Sequence, residues 1–298
     1  MTEGIADAAR GVILARRCPG WIAAVWAWQA ALALVVAWPA ASIVGKAFGP
    51  DPRGDGPLWD AGAHSLLVFL SRDSHALSGV WTLAALVLVI AAVAGLLPSA
   101  AIMLAMSEAA HPGGRRSIAR VVAGAFAAFP ALGVLLVILG LAETATVAVA
   151  WLVTTCIEAV THDVVGEARA NVLEIAAAIA FAPLAAVIWI VHDLAGASVV
   201  RFRVGAASAV WLGARAFALA PWSLCWAWAW RTGLSWVMIV PASTVADAVA
   251  GRGGAALLLL ACTHQSTLAV RTALHASWAA RALRNAKRSA YEDERGPR

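Results

Sequence analysis

The chain has 298 residues, 62% of them hydrophobic and only 13% charged, with a formal net charge of +5. An ordinary soluble domain is about 45–50% apolar and about 25% charged, so this composition excludes that class and implies several membrane spans. Four cysteines, Cys18, Cys156, Cys225 and Cys262, lie far apart with no CxxC pair, which excludes a zinc or dithiol framework.

Taken in chain order, Arg10, Arg16 and Arg17 precede the run "WIAAVWAWQAALALVVAW". That run is too long for a cleaved signal's apolar region of about 7–15 residues, so it reads as an uncleaved signal-anchor behind a cytoplasmic segment, residues 1–20. A spanning helix needs about 20 mostly apolar residues, and six segments qualify: 21–44, 80–106, 130–153, 172–192, 217–241 and 255–276. Backbone amides in lipid must be satisfied within their own segment. The expected fold is therefore all-α: a polytopic bundle of six transmembrane helices over residues 21–280. The first outer loop, "GPDPRGDGPLWDAGAHSLLVFLSRDSHAL", lacks EF-hand spacing around Asp51 and Asp55, although "AGAHSLLVFL" suits a short interfacial helix. The tail, residues 281–298, turns from basic to acidic; its basic part is expected to carry span six onto the inner headgroups.

Charge sets the direction. Sixteen of the 22 Lys and Arg fall in the N-terminal segment, the 115–120 and 201–215 loops, or from Arg271 onward, whereas Asp51, Asp55, Asp60, Asp163 and Glu167 fall on the other side. The positive-inside rule then places both termini in the cytoplasm of a plasma (inner) membrane. The basic inner loops imply contact with anionic lipid headgroups, not nucleic acid.

Residues 117–130, "SIARVVAGAFAAFP", match 208–221, "SAVWLGARAFALAP", at six of 14 positions, and "PSAAIMLAMSEAA" (98–110) matches "PLAAVIWIVHDLA" (183–195) with Glu108 falling on Asp193. The unit is a span with a proline, an acid at its cytoplasmic end, a basic loop, a short amphipathic interfacial helix, a proline and a returning span. Two copies, about 80–153 and 172–241, would run parallel and be related by an axis along the membrane normal. The stretches "FAPLAAVIWIVHDLAGASVVR", "GARAFALAPWSLCWAW" and "LLLLACTHQSTLAVRTALHASWAARAL" resemble those of uncharacterised bacterial six-span inner-membrane proteins. These are similar in layout to the membrane domain of some glycerophosphodiester phosphodiesterases. The resemblance implies an integral membrane protein with no established reaction. Gly196 stands where such proteins often carry an arginine.

Charges inside the spans are the candidate functional groups. Arg231 lies ten residues past Pro221, about 15 Å deep, and Glu143 lies 13 past Pro130, about 20 Å deep. If the copies pack side by side, Glu143 neutralises Arg231, with Trp222, Trp226 and Trp230 on a face beside it. His264, Leu268, Arg271 and His275 form one stripe of span six, and His264 near the midplane suits either an interhelical hydrogen bond or proton handling. Asp193, about 33 Å along span four from Asn171, and Arg271, about 24 Å along span six from Ala255, both reach the cytoplasmic interface, so they are expected to pair. The adjacent pairs His162-Asp163 and His192-Asp193 point to different helix faces and make poor dyads.

No GxSxG, HExxH, P-loop or Asp-rich prenyl-diphosphate motif is present, so no catalytic residue, cofactor or metal is expected. The leading expectation is a non-enzymatic membrane protein: a scaffold, an assembly partner or a modulator of envelope or lipid processes, working with a membrane-protein partner or as a homo-oligomer. The alternative is a transporter of a small solute, ion or lipid with a polar site at the repeat interface.

Overall fold

A computed structural model describes Ala15, residues 18–48, Val68, and residues 74–109, 117–165, 167–249 and 255–294. The charges Arg10, Arg16, Arg17, Asp51, Asp55, Asp60, Arg115, Arg116 and Arg252 lie outside the described residues. Among the described residues the only regular structure is helical, as satisfaction of the backbone within lipid requires. The helices are α1 (Pro19–Phe48), α2 (Ser74–Ala94), α3 (Leu96–Ala109), α4 (Ile118–Val165), α5 (Glu167–Phe202), α6 (Ala206–Leu219), α7 (Pro221–Val237), α8 (Ile239–Val249) and α9 (Ala255–Glu294).

Four helical stretches are long and apolar enough to cross a membrane: Pro19–Ile43, Ser78–Ala109, Ile118–Val160 and Ile175–Phe202. They correspond to the first four expected spans. The fifth and sixth are helical but interrupted or diluted. Ala220 leaves helical geometry (φ −152, ψ 54) just before Pro221, which suits the first position of α7 because it has no N–H to satisfy there. A second break falls at Met238, three residues before Pro241, whose missing N–H leaves the Val237 carbonyl without its helical donor. In α9, the polar turn from Thr263 to Thr267 and Arg271 lower the hydropathy of an otherwise apolar segment.

Prolines and glycines mark the other bends. Gly95 separates α2 from α3, its N–H donating to the Ala91 carbonyl at 2.8 Å, and a Cβ there would collide with that same carbonyl. Pro98 removes a further donor three residues on, and a Gly–Pro combination of this kind kinks a helix. α4 instead runs straight through Pro130 for 48 residues. At about 1.5 Å per residue that is about 72 Å, more than twice a hydrocarbon core of about 30 Å. The matched segments 117–130 and 208–221 thus differ locally, one continuous and one broken, although Ala125 and Ala216 occupy equivalent buried positions.

α5 ends by a different device. Arg203 takes a left-handed conformation (φ 55), and its N–H bonds the Val199 carbonyl at 2.9 Å. This is the single-bond helix stop usually made by glycine, and it lets the chain turn into α6.

The chain divides into two compact units. The first comprises Met1–Arg17, Met103–Trp230 and Ser277–Arg298. In it α4 packs on α5, α5 on α6, and α6 on α4. Leu135, Ile190 and Leu194 are wholly buried. Every residue of α5 from 194 to 200 is buried, as is every residue of α9 from 277 to 283. A helix buried all round has no free face to give to water. Here the segments are rich in Ala, Ser and Gly, the residues that let helix backbones approach closely in membranes. One close approach is at Gly213 of α6, where an added Cβ would lie 2.9 Å from both the Ala195 nitrogen and the Val191 oxygen. The start of the tail belongs to this core: Arg281, Ala282, Leu283 and Ala286 are buried, where the sequence led us to expect a helix lying on headgroups. Small residues on every side of 276–286 made the segment look undirected, but they suit it to a close-packed position.

The second unit comprises Cys18–Ile102 and Arg231–Ala276. α1 packs on α2, and Thr272 Oγ1 donates to Gln29 Oε1 at 2.9 Å, tying α9 to α1. Burial raises the Cys18 thiol above its ordinary range through desolvation, which keeps the reactive thiolate scarce.

Candidate functional site

Trp189, His192 and Asp193 occupy positions i, i+3 and i+4 of α5, one helical face. Three helices of the first unit meet along it. The Trp189 indole N–H donates to Glu143 Oε1 of α4. The Trp189 and His192 rings meet edge to face with centroids 6.0 Å apart. His192 Nδ1 lies 3.6 Å from Asp193 Oδ1, and the other Asp193 oxygen, Oδ2, accepts the Trp278 indole N–H of α9 at 2.6 Å. Glu143 and Asp193 thereby belong to one polar line, Glu143–Trp189–His192–Asp193–Trp278. His192 Nδ1 is buried and makes no hydrogen bond, so the ring has a free nitrogen beside a carboxylate.

An indole N–H is a donor only. It satisfies a carboxylate without bringing a second charge into the bundle, so each acid joins two helices at low electrostatic cost. Two further ties work similarly. Arg201 Nη1 of α5 donates to Ser107 Oγ of α3 at 3.1 Å. Arg281 Nη2 of α9, 4% exposed, donates to the Ser223 carbonyl at 3.2 Å in the first turn of α7.

Of the five residues singled out from the sequence, Glu143 and Asp193 belong to this line, whereas Arg231, His264 and Arg271 belong to the second unit. Glu143, expected opposite Arg231, has Trp189 as its partner. Asp193, expected opposite Arg271, has Trp278, seven residues further along α9. His192-Asp193, read as divergent, meets after all, because a ring nitrogen on one side chain reaches a neighbouring carboxylate even at 100° around the helix. Trp189 and His192 were legible as one face with Asp193; Trp278 had no sequence signal, since it stands among serine and alanine and its role depends on which helix lies alongside.

Arg231 is 3% exposed. It shares a face of α7 with the buried Leu224 and Ala227, at spacings of seven and four residues. Of the three tryptophans expected to frame it, Trp222 and Trp226 point the other way, 87% and 73% exposed, whereas Trp230 is half-buried. Replacing Arg231 by Gln should destabilise the protein in detergent by at least about 1.5–3 kcal/mol, the usual loss for a buried hydrogen-bonded charge. Trp226→Leu, on the outward face, should stay within about 0.5 kcal/mol. Thermal unfolding of the two variants side by side checks the contrast.

His264 is exposed and its Nδ1 lies 2.9 Å from the Leu260 carbonyl of its own helix. Thr263 Oγ1 donates to Leu259 O at 2.8 Å, and Thr267 Oγ1 donates to Thr263 O at 3.0 Å. Arg271 and His275 are exposed on the same helix. Among the described residues no group of three or more His, Cys, Asp or Glu gathers as a metal site. Set against known protein families, characterised proteins and solved structures, the chain matches none of them.

Proposed function

We propose that the chain is a non-enzymatic multi-pass protein of a bacterial inner membrane, a scaffold or assembly partner acting on envelope or lipid processes. The observation that carries this reading is the use of its intramembrane acids. Glu143 and Asp193 each accept an indole from another helix and so serve to join helices, where a catalytic or transport site would leave polar atoms converging on a ligand.

In this reading α7 with α8 forms the fifth span, the first half of α9 forms the sixth, and both termini are cytoplasmic. The exposed tryptophans support it, because Trp gathers at the two membrane–water interfaces. Trp38, Trp151 and Trp236 are exposed and lie about 28 Å from Pro19, about 32 Å from Pro130 and about 22 Å from Pro221 along their helices, which is the outer side of each span. Trp222 and Trp226, also exposed, lie at the inner start of α7. The parallel duplication of about 80–153 and 172–241 rests on the sequence match, and the basic inner segments meet anionic headgroups.

A second reading, a transporter of an ion or small solute, is favoured by one observation: the unbonded His192 nitrogen 3.6 Å from Asp193 inside an apolar span. Water access separates the two. Single cysteines at Glu143 and His192, in a chain otherwise free of cysteine, should resist a water-soluble maleimide in sealed vesicles opened to both sides, because a scaffold's core is dry. Rapid labelling at both positions would displace the scaffold in favour of the transporter.

A further inference from the structure

We propose that α6 is a lipid-binding helix seated in the headgroup layer of the inner leaflet, where Trp211 enters the lipid and Arg203 holds the phosphate of an anionic phospholipid. The proposal rests on the reading of α5 and α7 as spans whose inner ends are Phe202 and Pro221.

α6 joins those two ends, and its two sides differ. Ala206, Ala209, Gly213 and Ala216 are buried, and Gly213 sets this side against Val191 and Ala195 in the last turns of α5. α6 therefore lies at the level where that span ends. On its opposite side, at 3.6 residues per turn, stand the exposed Trp211 and Leu219, with Ser208 exposed and Arg215 half-buried between them. Water would leave the two large apolar side chains uncovered. Acyl chains would surround Arg215 with a medium that solvates it poorly. The headgroup layer suits both, and Trp and Leu beside basic residues are the pattern of a helix seated there. The sequence-matched segment 117–130 is divided in the same way: Val121 and Ala125 are buried, whereas Ile118, Val122 and Phe126 are exposed.

Arg203 is the residue that commits this surface to an anion. It occupies the left-handed stop between α5 and α6 (φ 55), a conformation that glycine adopts freely and a residue with a Cβ does not. An arginine stands there instead. Its side chain is exposed and pairs with no carboxylate among the described residues. At the inner end of a span the groups that meet such a side chain are headgroups. A phospholipid phosphate accepts two parallel hydrogen bonds from a guanidinium, and an anionic lipid adds net charge complementary to Arg203 and Arg215.

Depth and charge are tested separately in nanodiscs holding the full chain. An environment-sensitive fluorophore on Trp211→Cys, with the four native cysteines replaced by alanine, should be quenched more by a spin label at the lipid headgroup than by one deep in the acyl chain. Stronger quenching from the deep label, or none from either, overturns the seat. The same fluorophore on Trp226→Cys, on the outward face of α7, tells the failures apart. Quenching there but not at Trp211 means that α6 alone leaves the lipid; quenching at neither means that α7 does not cross, and removes the proposal together with that reading. For the charge, spin-labelled phosphatidylglycerol should quench at lower concentration than spin-labelled phosphatidylcholine. Arg203→Gly suits a φ of 55 and should melt no lower than the parent, yet it should reduce that preference about fivefold, the weight of one basic residue beside an anionic leaflet. Arg203→Lys should keep it. An unchanged preference in Arg203→Gly overturns the anionic-lipid site, and so does competition by inorganic phosphate, which would assign the arginine to a soluble anion.

Discussion

Gly213→Leu is expected to leave no folded protein in detergent. Gly213 faces the backbone of α5: a single Cβ would already stand 2.9 Å from the Ala195 nitrogen and from the Val191 oxygen, and 3.1 Å from the Ala195 side chain. Two of these three atoms are main chain and cannot rotate away. α6 would have to lift off α5, and Ala209 and Ala216, wholly or almost wholly buried on the same face, would lose their contacts with it. Gly213→Ala should cost about 1–3 kcal/mol, the usual range for overpacking a tight contact. Gly124 gives the control. There the nearest atom is Leu104 Cδ1 at 3.0 Å, the end of a flexible side chain, so Gly124→Ala should be milder. Thermal unfolding or the monodisperse fraction on gel filtration orders the variants; equal tolerance at the two glycines would mean that the α5–α6 approach is looser than described.

The second large effect is expected at Trp278. It is 4% exposed and its indole is the partner of Asp193, so one residue supplies both packing and a hydrogen bond. Trp278→Ala should cost about 3–5 kcal/mol, mostly for the cavity. Trp278→Phe keeps most of the ring but leaves the Asp193 carboxylate without its donor, worth about 1.5–3 kcal/mol for a bond to a charged group. A double-mutant cycle with Asp193→Asn isolates the bond: the coupling should fall between about 0.5 and 3 kcal/mol. Zero coupling would show that the contact is only packing, and would take away one of the two ties on which the scaffold reading stands.

Which residues were legible beforehand follows from the range over which each is decided. Glu143, Asp193 and Arg231 stood out because a charge within an apolar run is conspicuous wherever it lands, and two of them do sit on a polar line within one unit. Their partners were not legible. The sequence argument matched charge with charge at similar depth, whereas the acids take neutral indoles, and depth along a helix says nothing about rotation around it. Trp222 and Trp226 show the same limit: their spacing correctly put them on one face, but which face turns inward depends on what lies beside α7. His264 and Arg271 shared a stripe as expected, and that stripe is exposed.

The sequence by itself determined that the chain is helical and apolar enough to span a membrane. Those properties are local. Apolar length and backbone satisfaction in lipid are decided within one segment. Only the tertiary structure decided that the start of the tail, residues 281–286, packs into the core, that Gly213 lies against the α5 backbone, and that tryptophans serve as the partners of the half-buried acids Glu143 and Asp193. Those depend on which surfaces meet across separations such as the 85 residues between Asp193 and Trp278. In a chain whose spans are apolar on every side, no alternation of polar and apolar residues marks the inward face; shape, set by alanine, glycine and serine against larger side chains, selects it.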